Sequence, residues 1–87
     1  MPKILIADDE KEIVRLLRMY LETDGITVLE AGDGQQAVDI ARENHIDLAL
    51  VDIMMPNMDG YDAARAIRAM DRDYAKRIPI VAMTANA

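Results

Sequence analysis

The chain contains no cysteine, which excludes disulfides and thiolate metal sites and leaves the redox compartment open. No apolar run is long enough to cross a bilayer, so no membrane contact is expected. Positive charge is scarce: ten Lys and Arg stand against sixteen Asp and Glu, a formal net charge of −6. That balance argues against a nucleic-acid surface on this segment, because phosphate contacts need clustered basic residues. It is also what a cation site or a basic partner would meet, although most acidic charge is a solvated face. The single histidine, His45, lies at a helix–strand junction and reads as a surface residue rather than a base or a ligand. Linkers, internal repeats and low-complexity tracts are missing too. With 87 residues, the chain is one small domain. A domain of this size buries about 60–65% of its unfolded surface and has little margin. The start, Met1-Pro2-Lys3-Ile4-Leu5-Ile6, runs directly into strand-like sequence, so no signal peptide is evident.

What is present alternates between two periodicities. Lys3 to Ala7 reads as a short apolar strand ending at Asp8-Asp9-Glu10. A helix from about Glu10 to Thr23 follows, with Ile13, Leu16, Leu17, Tyr20 and Leu21 as one apolar stripe. Asp24-Gly25 ends it, with Gly25 as a left-handed cap. Ile26 to Ala31 is a second strand, and its Thr27 and Glu30 mark it as an edge. Asp33 caps a helix from about Gln35 to Asn44, with Ala37, Val38, Ile40 and Ala41 facing inward. Asp47 to Asp52 is a third strand. After the Pro56–Gly60 turn, a helix from about Gly60 to Met70 buries Tyr61, Ala64, Ile67 and Met70, with Asp59 as its cap. Asp71 to Arg77 reads as a solvated charged loop, and Pro79 to Met83 as a fourth strand. The order βαβαβαβ implies right-handed crossovers and a parallel sheet.

The stretch from Leu48 to Gly60 organises the rest. Its apolar run is too short for a confident helix and stops at Asp52, immediately before a Pro/Asn/Gly turn, so it reads as a strand buried on both faces. Asp52 therefore sits at the strand end where open α/β sheets bind ligands. Taken alone, it reads first as a turn former or a cap for the next helix. Asp8 and Asp9 end the first strand, and if the two strands are neighbours, about 4.8 Å apart, all three carboxylates meet at one sheet edge. Carboxylates so close cannot all stay ionised in a partly dry cleft without raised pKa values or a cation. A hard divalent ion such as Mg²⁺, which favours carboxylate, carbonyl and water oxygens, resolves the conflict. The alternative for Asp8-Asp9-Glu10, an acidic helix start complementing the dipole, suits Glu10 best.

At these residues the chain resembles a family. Leu50-Val51-Asp52-Ile53-Met54-Met55-Pro56-Asn57-Met58-Asp59-Gly60 resembles the phosphoacceptor segment of response-regulator receiver domains, the CheY-like family. Ile4 to Glu10 resembles its first strand and acidic pocket, and Ile80 to Ala85 its fourth strand and switch hydroxyl. The three segments come in the family's order and spacing and span the chain. The resemblance implies a flavodoxin-like doubly wound sheet of strand order 2-1-3-4, incomplete because the family's last helix-strand-helix, with its Lys and usual output surface, is not matched here. It implies that Asp52 accepts a phosphoryl group from a histidine kinase or histidine phosphotransfer protein. Asp9, Asp52 and the backbone carbonyl of Met54 would hold Mg²⁺, with Asp8 acting through a water, and Thr84 would hydrogen-bond the phosphoryl group as the switch. It further implies a cytoplasmic signalling module rather than a turnover enzyme.

Other readings remain open. An aspartate-nucleophile phosphohydrolase places a second Asp two residues after the first, where this chain has Met54. A nucleotide site would need a Gly-rich cradle after the first strand, where Asp8-Asp9-Glu10 stands instead. Ile78 to Met83 is apolar like a central strand, yet nothing follows that could pair with its far side, which predicts self-association or exchange of elements between copies. Lys76 precedes the fourth strand and so belongs at the wrong end of the sheet to stand in for the family's Lys. Met19, Met54, Met55, Met58, Met70 and Met83 read as packing material.

Overall fold

The structure is a computed structural model that describes residues 2–55 and 57–83. Strands β1 (Lys3–Ala7), β2 (Thr27–Ala31), β3 (Leu48–Asp52) and β4 (Ile80–Met83) alternate with helices α1 (Lys11–Thr23), α2 (Gly34–Glu43) and α3 (Gly60–Arg68). The sheet is parallel in the order β2-β1-β3-β4, the incomplete doubly wound order expected. Both central strands are apolar on both faces, as burial between helix layers demands. Ile4 and Ile6 of β1 join Val14 of α1 and Val28 of β2 on one side. Leu5, Ala7, Ala49 and Val51 face the other side, against Ala37, Val38 and Ala41 of α2 and Ala63 and Ile67 of α3. Fully burying a side chain such as Leu5, Ile6 or Ile67 is worth about 1.5–3 kcal/mol.

The apolar arc of α1 is only partly used. Val14 is buried and Leu17 and Leu21 are half-buried, three positions at i, i+3 and i+7 that pack with β1 and β2. Ile13, Leu16 and Tyr20, expected in the core, are exposed, as is Met19. Periodicity identifies an apolar arc but not how much of it a neighbour covers. Among the described residues, no second helix shares this face with α1.

In α3 the inward positions are Gly60, Ala63 and Ile67, with Met70 following. Tyr61, expected inside, is 56% exposed, and Ala64 is only half-buried. The reason is the approach of the helix to β3. A Cβ on Gly60 would stand 2.9 Å from both the Asp52 carbonyl carbon and the Ile53 Cα, so the first inward position holds no side chain. Tyr61 then falls about 100° further round the helix.

The segment Asp71 to Arg77 is not a solvated loop throughout. Tyr74–Lys76 form a 3₁₀ turn with Tyr74 and Ala75 buried. The Arg72 guanidinium donates to the Ala41 and Asn44 carbonyls at 3.1 Å each and to that of Arg42. It thus meets carbonyls at the end of α2, where a cation is favoured, and the Tyr74 hydroxyl donates to the Ala41 carbonyl as well. The guanidinium lies 4.6 Å above the Tyr74 ring, which stacks on exposed His45 at 4.5 Å. Lys76 lies before β4, away from the strand ends that carry the carboxylates.

Candidate functional site

β1 and β3 are paired in register, Ala7 beside Val51, so the next residues, Asp8 and Asp52, leave the sheet side by side. The three acidic residues converge: one carboxylate oxygen each from Asp8, Asp9 and Asp52 lies within 4.8 Å of the others. Asp8 and Asp52 are 7% and 8% exposed, whereas Asp9 faces solvent.

Local hydrogen bonds fix the two buried groups. Asp8 Oδ1 accepts from the Glu10 N–H at 2.9 Å, and Asp52 Oδ1 accepts from the Met54 N–H at 3.1 Å. Burial raises the Asp8 carboxyl above the ordinary carboxylate range; the Glu10 N–H opposes the shift, while the nearby Asp52 and Asp9 charges add to it. Three oxygen donors of one charge, gathered at the rim of a sheet, are the donor type that a hard cation takes.

The loop after Asp52 is held from both ends. The Ile53 N–H donates to the Met83 carbonyl at 3.0 Å, tying the loop's start to β4, and the Gly60 N–H donates to the Ile53 carbonyl at 3.1 Å. Asp59 caps α3 as expected, accepting from the Asp62 N–H at 2.8 Å. Two further contacts were not foreseen. Asn57 adopts a left-handed φ of 69°, and its amide donates to Asp33 Oδ2 at 2.8 Å. Asp33, the expected cap of α2, accepts from the Gln36 N–H at 2.8 Å, so one carboxylate joins the helix to the loop. Those donors lower the Asp33 carboxyl below its ordinary value, with the Gln36 N–H the larger influence. Gly34 admits the same loop: a Cβ there would stand 2.7 Å from the Met58 Cβ. The Asn at a turn was a legible signal, but its partner was not.

Met55 and Met58 pack against the core, while Met54 is 71% exposed and, like Met19, is not packing material. Thr84, the expected switch hydroxyl, lies outside the described residues.

A parallel α/β sheet with an acidic triad at the carboxyl ends of its two central strands places those side chains where open sheets of this kind bind ligands. The particular family follows from comparison. Residues 4–87 match the response regulator receiver domain, and the chain belongs to that family. Similar curated proteins include the response regulator GtcR of Aneurinibacillus migulanus, 42% identical over 83 residues, 95% of this chain and 32% of that protein. The transcriptional regulatory protein SrrA of Staphylococcus aureus (strain NCTC 8325 / PS 47) is 43% identical over 84 residues, 97% of this chain and 33% of that one. The chain thus spans about a third of these curated relatives. Among solved structures, the receiver domain of the sensor histidine kinase PA1611 from Pseudomonas aeruginosa PAO1 has magnesium coordinated in its active-site cleft. It is 37% identical, with a TM-score of 0.90 over 99% of this chain and 69% of that one. The response regulator TrrA of Thermotoga maritima, in complex with Mg²⁺ and BeF, is 33% identical, with a TM-score of 0.84 over 98% and 70% of the two chains.

Proposed function

We propose that this chain is a phosphoacceptor module of two-component signalling, with Asp52 as the residue phosphorylated. The observation that carries the reading is the convergence of the Asp8, Asp9 and Asp52 carboxylates within 4.8 Å. Asp52 is buried yet opens at a strand end, and the Met54 N–H holds one of its oxygens, leaving the other to attack phosphorus. A carboxylate nucleophile gives an acyl phosphate. Asp9, Asp52 and the Met54 backbone carbonyl would hold Mg²⁺, with Asp8 reaching it through a water. Bound there, the ion neutralises charge on the transferring oxygens, the main need of phosphoryl transfer. The donor is a phosphohistidine on a sensor histidine kinase or a histidine phosphotransfer protein, in the cytoplasm. Asp52 is consumed once per transfer, and position 54 holds Met rather than a second acid, so the module is a signalling acceptor and not a hydrolase. The test is intact mass after incubation with a small phosphodonor and Mg²⁺: one phosphate adduct in the wild type, lost in Asp52→Asn. An adduct that survives the substitution overturns the assignment.

A second reading concerns assembly and rests on exposed apolar surface. Val81 and Ala82 of β4 are exposed, and Val81 pairs with Leu50, which pairs with Ile6, on the α1 side of the sheet. With Ile13, Leu16 and Tyr20 open on that side, a copy of the chain can add to β4 or exchange elements with it.

A further inference from the structure

The loop that follows Asp52 leans on the start of α2, and one side-chain contact joins the two. Asn57 turns the chain there with its left-handed φ of 69°. Asn tolerates that conformation better than most side chains, yet its surroundings must still hold it there. The holding contact is the Asn57 amide, which donates to Asp33 Oδ2 at 2.8 Å. Among the described residues, no other hydrogen bond joins a side chain of this loop to the start of α2. Its acceptor is charged, which makes it one of the stronger kinds.

Asp33 is fixed independently of Asn57. Its Oδ1 accepts from the Gln36 N–H at 2.8 Å, and Gln36 Oε1 turns back to accept from the Gly32 N–H at 2.8 Å. This reciprocal capping leaves the second oxygen of Asp33 for the loop. Gly34 lets the backbones close up, since a Cβ there would stand 2.8 Å from the Met58 carbonyl carbon. Toward Asp52, the same loop serves the acidic pocket, where the Met54 N–H holds Asp52 Oδ1 at 3.1 Å. Met54 and Asn57 are three positions apart, so a change of backbone at Asn57 reaches the peptide groups beside Asp52.

We propose that Asn57 and Asp33 are positioning residues: their hydrogen bond holds the acceptor loop in the shape that serves a divalent cation at Asp8, Asp9 and Asp52. This rests on the cation site of the phosphoacceptor reading and adds to it two residues that touch neither ion nor phosphate. The alternative is a surface contact that contributes to stability alone.

The test titrates the chain with magnesium chloride in a calorimeter and follows thermal unfolding in parallel. Asn57→Gly keeps the net charge and the left-handed backbone but removes the amide. Its Kd for Mg²⁺ rises about tenfold, as when other supports of metal ligands are lost. Asp33→Asn keeps an oxygen to cap α2, because Asn caps as well as Asp, but turns an amide toward an amide. Its affinity falls as well. Combining Asp33→Asn with Asn57→Asp reverses donor and acceptor at unchanged net charge, and brings Kd back to within about twofold of the wild type. Single variants that unfold at lower temperature yet bind Mg²⁺ like the wild type overturn the proposal. So does a reversed pair that stays as weak as the single variants. A wild type that binds Mg²⁺ but takes no phosphate overturns the phosphoacceptor reading and leaves this one standing on its Kd values. A wild type that binds no Mg²⁺ overturns both.

Discussion

Asp8 shows how one residue links folding to function. Its carboxyl is raised above the ordinary range by burial first, then by the Asp52 and Asp9 charges, against the Glu10 N–H. An acid whose folded-state pKa is raised binds its proton more tightly folded than unfolded. Its contribution to stability is therefore favourable below the unfolded carboxylate range and lost as pH rises through the folded value. At neutral pH without a divalent cation, ionised Asp8 is a cost. Asp8→Asn removes the charge and keeps an oxygen to accept from Glu10, so it stabilises the cation-free protein by on the order of 1 kcal/mol, raising Tm by about 4–8 °C. The gain shrinks at low pH, where Asp8 is already protonated, and when Mg²⁺ is added to the wild type. Thermal unfolding followed by circular dichroism checks all three; a substitution that destabilises at neutral pH contradicts this account of the pocket.

Among the elements, the junction of β3 with α3 decides where Asp52 points. Gly60 permits it, since a side chain there meets the backbone of Asp52 and Ile53 rather than a flexible neighbour. Gly60→Ala forces helix and strand apart and costs about 1–3 kcal/mol, as overpacking does elsewhere. It also slows phosphate incorporation in the molecules that remain folded. Urea unfolding and the labelling rate read the two effects separately; wild-type values of both refute the close approach. The cap residues Asp33 and Asp59, the strand identities and the acidic strand ends were legible in the sequence, because each follows from local spacing. What was not legible depends on a neighbour. Tyr61 and Ile13 lie on apolar arcs, and only packing decides which part of an arc is covered. Arg72 looks like loop charge until the end of α2 is placed beside it, and Asn57 looks like a turn former until Asp33 is.

At the scale of the whole fold, α2 and α3 cover one face of the sheet, and among the described residues α1 is the one helix on the other. The uncovered strip, floored by half-buried Leu48 and Leu50 and edged by exposed Val81, predicts reversible self-association. Sedimentation across a wide concentration range will show a monomer–dimer shift that Val81→Lys weakens, since a charged edge strand resists pairing. A strictly monomeric chain at high concentration rules the assembly out while leaving the pocket's chemistry as it is. The assembly therefore stands or falls apart from the account's centre, which is that three carboxylates from two adjacent strands make a cation-dependent acceptor of phosphate.

The position of that phosphate tests the centre most directly. Borohydride reduces an aspartyl phosphate to homoserine, which peptide mass spectrometry locates by residue. The account predicts homoserine at position 52, formed when donor and Mg²⁺ are both present and absent when the ion is chelated. Homoserine at Asp8, Asp9 or any other carboxylate, or formation at position 52 that ignores the ion, contradicts it.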